Sequence, residues 1–109
     1  MNQADLDHLR ADARALFTAL YLLDVETLSK PQLELHQLQL ATSHAALVKL
    51  ENAHIQNLSE TALKHWPVLQ ASLVDLKAKA EQGGKPAGVV AALGDGLDKL
   101  GAAVKAVFG

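Results

Sequence analysis

The stretch Ala53-His54-Ile55-Gln56-Asn57-Leu58-Ser59-Glu60-Thr61-Ala62-Leu63-Lys64-His65-Trp66-Pro67 decides how many times the chain turns back on itself. Asn57 followed three residues later by Glu60 has the form of a capping box, which opens a new helix. Pro67 offers a competing stop, because the residue before proline avoids the helical region. The apolar register continues from Leu58 through Ala62 to Leu69, which would suit one long helix over residues 32–65. A break near Ser59 divides the chain into segments of roughly 22–26 residues, lengths that close as antiparallel neighbours. The break near Ser59 is therefore the preferred reading, with Pro67 inside the third helix. The three-helix arrangement with a long helix 32–65 is the alternative.

Upstream, Leu6, Leu9, Ala13, Leu16, Leu20 and Leu23 step by three and four residues and share one helical face. They predict a first helix from about Ala4 to Leu28, with Arg10, Arg14 and Asp7 on the opposite side. Ser29-Lys30-Pro31 supplies a cap and a first-turn proline for the second helix. Its apolar face is expected to hold Leu33, Leu40, Ala41, Ala45, Leu47, Val48, Ile55 and Leu58, with His44 in the same face. Downstream, Leu69, Leu73, Leu76 and Ala80 continue the third helix, and Gln82-Gly83-Gly84-Lys85-Pro86 ends it. Val90, Leu93, Leu97, Leu100, Val104 and Val107 mark a fourth helix. Gly88, Gly94, Gly96 and Gly101 fall inside it, each costing about 1 kcal/mol relative to Ala. Gly94 and Gly101 are placed to let a neighbouring backbone approach closely.

Composition agrees with an all-α fold. Leu (21) and Ala (19) outnumber the 13 Val, Ile and Thr residues combined, a ratio unsuited to strands. The expectation is one domain over residues 1–109, an antiparallel four-helix up-down bundle. With no cysteine, disulfides and thiolate chemistry are excluded. A net charge of −2 gives no basic footprint for nucleic acid. The longest apolar stretch, Ala15 to Leu23, is too short for a transmembrane segment, and the first residues lack a secretory signal. A cytoplasmic setting is the simplest expectation. Residues 1–60 carry eight acids and four bases, and residues 61–109 four acids and six bases, so the halves attract within or between copies.

In such a bundle, residues of the first two helices whose numbers sum to about 60 lie side by side. Asp5-Leu6-Asp7-His8 then faces Glu51-Asn52-Ala53-His54, and the next turn brings His65 to the same level. Carboxylate-x-x-His puts two ligands on one helical face, so Asp5, His8, Asp12, Glu51, His54 and His65 form a candidate divalent-metal site. The spacing resembles, over these two stretches, the ligand pattern of ferritin-like di-metal bundles. Those proteins also carry inward Glu residues on the other two helices; here Asp75, Glu81, Asp95 and Asp98 lie at other levels. Metal is accordingly not the leading expectation, and no other cofactor is implied.

Ala53-His54 followed by Leu76-Lys77-Ala78-Lys79-Ala80-Glu81-Gln82-Gly83-Gly84 distantly resembles the histidine phosphotransfer domain, which implies His54 as phosphoryl carrier. That family has Lys and Gly three and four residues after its His, where this chain has Asn57 and Leu58. None of the four serines lies in a Gly-x-Ser-x-Gly elbow. The broader signal is apolar excess: Tyr21, Leu22, Val25, Leu35 and Leu38 fall off or at the edge of the core stripes and pair across the turn at 29–31. They form a candidate interface. The leading expectation is a non-enzymatic interaction module, an adaptor, chaperone-like or regulatory subunit, that binds a protein partner or further copies of itself.

Overall fold

A computed structural model describes residues 2–82, 84–94 and 96–108. Gly83 of the expected glycine turn and Asp95 between Gly94 and Gly96 lie outside the described residues. Among those described there are five α-helices and no strand: α1 (Gln3–Tyr21), α2 (Lys30–Glu51), α3 (Glu60–Glu81), α4 (Pro86–Leu93) and α5 (Gly96–Phe108). None is long and apolar enough to cross a membrane.

The break before α3 forms as expected, with its cap at Ser59 in place of Asn57: the Ser59 hydroxyl accepts the Ala62 N–H at 3.0 Å. The helix runs through Pro67 without interruption. The carbonyl left without its usual donor is that of Leu63, on the exposed side, where water reaches it. A long helix over 32–65 is thus ruled out. The second helix also ends sooner than expected, at Glu51, because α1 supplies cations to its C-terminus. Arg10 donates to the Leu50 carbonyl at 2.8 Å and to the Ala53 carbonyl at 2.9 Å, and Arg14 pairs with Glu51. Orphan carbonyls at a helix end carry partial negative charge, which the guanidinium satisfies. Arg10 therefore lies against α2, not on the solvent side.

The first helix stops at Tyr21, short of Leu28. Asp24 accepts the Glu26 N–H at 3.0 Å and Leu28 donates to the Val25 carbonyl at 3.1 Å, so local turns replace the helix. The expected fourth helix is two helices. Gly94 takes φ 45° and ψ −129°, a conformation that side chains avoid, and α5 starts afresh at Gly96. Gly101 does face a neighbour: a Cβ there would lie 3.7 Å from Thr42 Cγ2 of α2.

α1 packs against α2 and α3, α5 packs against α3 and α2, and α4 rests on α3 and α2. The pairs Arg10–Leu50 and Phe17–His44 make α1 and α2 antiparallel. Leu76 beside Gly96, with Leu58 and Val107 together at the other end, makes α3 and α5 antiparallel. Leucines and alanines of all five helices form one buried cluster that includes Trp66. The second helix contributes little for its length: Ala46 and Leu50 are its buried apolar residues, and its other buried positions are His36, Gln39 and Ser43.

Because a Cβ at residue 94 meets both an unfavourable φ and the Ala91 carbonyl at 3.3 Å, Gly94→Ala is predicted to cost about 1–3 kcal/mol. Urea unfolding checks this, and an unchanged midpoint would contradict it.

Candidate interaction surface

A surface helix of a soluble bundle usually turns its polar side out. The second helix also turns polar residues inward, in its middle. His36, Gln39 and Ser43 are 4 %, 2 % and 1 % exposed. Gln39 explains the orientation: its side-chain amide donates to the Val90 and Gly94 carbonyls, both at 3.1 Å, at the C-terminal end of α4. Gly94 ends the helix there with its own N–H donating to the Val90 carbonyl at 3.0 Å, so the Gln39 amide adds a second donor to that carbonyl and reaches the Gly94 carbonyl beyond it. One turn on, the Ser43 hydroxyl donates to the Leu40 carbonyl at 2.9 Å. One turn before, His36 is buried, and its Nδ1, like Gln39 Oε1, meets no hydrogen-bond partner among the described residues.

The consequence lies on the other side of the helix. Leu38, Ala41, Ala45 and Val48 face solvent, at the three- and four-residue spacing of a packing seam. Ala41, Ala45 and Val48 were expected in the core; the observed phase of α2 turns them outward. His44 is likewise exposed, its ring tilted against Phe17 at 5.2 Å between centroids, and Phe17 stands 5.9 Å from Tyr21. Together Phe17, Tyr21, Gln37, Leu40, Ala41 and His44 line a shallow groove of about 360 Å³ between α1 and α2.

The residues expected at the interface distribute around this helix. Tyr21 and Leu22 are 67 % and 73 % exposed at the end of α1, and Val25 is exposed in the following connection. Leu38 is exposed on α2. Leu35 is half-buried and looks toward α5, lining a small cleft with Gly94 and Leu97. Tyr21 and Leu35 thus occupy opposite flanks of α2 and do not form one patch at the 29–31 turn. Ala41, Ala45 and Val48 were missed as surface residues. Their signal was the polar stripe His36, Gln39, Ser43, which runs in phase with Ala46 and Leu50.

The carboxylate–imidazole grouping does not assemble. Asp5 exchanges capping hydrogen bonds with Asn2, at 2.9 and 3.1 Å. Asp12 lies 3.2 Å from Lys77 Nζ and, by hydrogen bond and charge, pushes that ammonium above its ordinary pKa. The Glu51 carboxylate is held by Arg14. His8 sits in an open hollow with Ala4, Asp7 and Ala11, and His65 is exposed on α3. Among the described residues, no three of His, Asp and Glu come together as metal ligands. Two arginines of α1 occupy the junction where a cation would have to bind. His54 stands exposed in the connection after α2, ahead of a 3-10 turn at Ile55–Asn57, so no helix carries it.

Burial pushes the His36 imidazole below its ordinary pKa of 6.5, because desolvation penalises the cation. The unfolded chain takes up this proton near pH 6.5 and the folded chain only at lower pH. Stability is therefore full above the unfolded value and declines as pH falls toward the folded one. We predict a larger drop in urea midpoint from about pH 7.5 to about pH 5.5 for the parent than for His36→Leu. Equal drops would contradict the assignment. No family model matches this chain, and no curated protein or solved structure matches it.

Proposed function

We propose that the chain is a non-enzymatic helical interaction module, an adaptor, chaperone-like or regulatory subunit, that binds a protein partner or further copies of itself and works in the cytoplasm. Its frame is read as an up-down bundle in which α4 and α5 together form the last stave. The observation that carries this reading is the outward stripe of α2, Leu38, Ala41, Ala45 and Val48, beside the exposed Tyr21 and Leu22. Scattered exposed leucines are ordinary, but apolar residues grouped on one side of a small domain favour a partner. The hydroxyls support the same reading. Ser29 and Ser59 cap helices and Ser43 is bonded to a backbone carbonyl, so these three serve structure. The absence of cysteine fits a reducing compartment.

Leu22→Glu/Leu38→Glu tests the reading, since both side chains are exposed and neither belongs to the core. With the parent and the variant as baits in an extract of the native host, we expect a companion, read by mass spectrometry, that the parent enriches. The variant should recover it at least about tenfold less, as two leucine contacts of about 1.5 kcal/mol or more are lost. Equal recovery by both baits would contradict the proposal.

A further inference from the structure

Resting on that reading, we infer that the occupant of the outward face of α2 is a second copy of this chain, paired antiparallel through α2. Residues 35–48 form a run of 14 without Asp, Glu, Lys or Arg, and Gln37, Leu38, Ala41, His44, Ala45 and Val48 within it are exposed. The run is bounded by Glu34 on one side and Lys49 on the other. Two copies laid parallel would set Glu34 against Glu34 and Lys49 against Lys49. Laid antiparallel, each Glu34 comes within one helical turn of the partner's Lys49, and the two helix dipoles also oppose each other favourably. Charge complementarity therefore selects the antiparallel pair.

The apolar positions fit the same arrangement. Leu38, Ala41, Ala45 and Val48 are spaced three, four and three residues apart, a pattern that reads identically in both directions. A two-fold axis at the level of residue 43 brings Leu38 level with the partner's Val48 and Ala41 level with the partner's Ala45. An isologous interface needs this self-complementarity. The central alanines allow the helix axes to approach to the close end of the usual range of about 8–10 Å. The partner's Val48 then lies on the α1 side of the seam, over the groove between Tyr21, Gln37, Ala41 and His44. A small branched side chain suits that apolar hollow, and the two-fold axis fills both grooves at once.

Light scattering and sedimentation equilibrium of the full chain test the inference. The parent should have twice the chain mass of 11.6 kDa at micromolar concentrations. Ala45→Glu and, independently, Val48→Asp place carboxylates in the seam from positions that face solvent in one copy. Both variants should run at the mass of one chain with the circular dichroism of the parent. Glu34→Lys and Lys49→Glu should each weaken pairing about three- to tenfold, and the double exchange should restore it. A parent that stays at one chain mass, seam variants that still pair, or a double exchange without recovery would each overturn the inference. If self-pairing fails in any of these ways while the Leu22→Glu/Leu38→Glu bait still loses a companion, the interaction reading stands and only the identity of the occupant falls.

Discussion

The carboxamide of Gln39, held across the carbonyls of Val90 and Gly94, sets the rotation of α2 about its axis. Each such bond contributes about 1 kcal/mol net. The two bonds made by the amide nitrogen hold the side chain at the end of α4. With Gln39 inward, His36 and Ser43 follow, one turn to either side. The same contact closes the C-terminal end of α4, where Gly94 stops the helix. One side chain thus links the division of the last helical segment to the face that α2 shows to solvent.

The opposite end of α2 is governed by charge. Arg10 and Arg14 reach from α1 to its last carbonyls and to Glu51, and the chain leaves the helix there. Residues 52–59 then cross to the start of α3, so α3 comes to lie beside α1 and α5, with α2 on the far side of them. The arrangement spends its cations on helix ends. It also spreads the five histidines into separate settings: a hollow, a buried helical turn, a tilted aromatic contact, a connection and an exposed helix face.

Much of this was legible in the sequence. The leucine stripe of α1 is buried as its spacing indicates, the break before α3 falls near Ser59 although Ser59 and not Asn57 is the cap, and the proline at residue 67 is carried inside a helix. Three features were not legible, for physical reasons. Hydrophobic periodicity weighs the apolar residues of α2 alone, and those lie on all sides of the helix; the deciding contact came from an amide 51 residues before its carbonyl at Val90. The early end of α2 depends on arginines 37 to 43 residues away. The end of α1 rests on local turns around Asp24, which compete with the helix without altering its apolar pattern. Of the proposed interface, Tyr21, Leu22 and Leu38 were found as apolar excess. Ala41, Ala45 and Val48 were hidden because small apolar side chains fit a core as readily as a seam.

The most direct test of this account is a nuclear Overhauser spectrum of the chain, read at the Gln39 side-chain amide protons. The account predicts cross-peaks from those protons to Val90 and Gly94 and slow exchange with solvent. Rapid exchange, with cross-peaks joining Ala41 and Ala45 to the buried leucines of α1 within one copy, would mean that α2 is turned the other way, and the surface inferred from it would not exist.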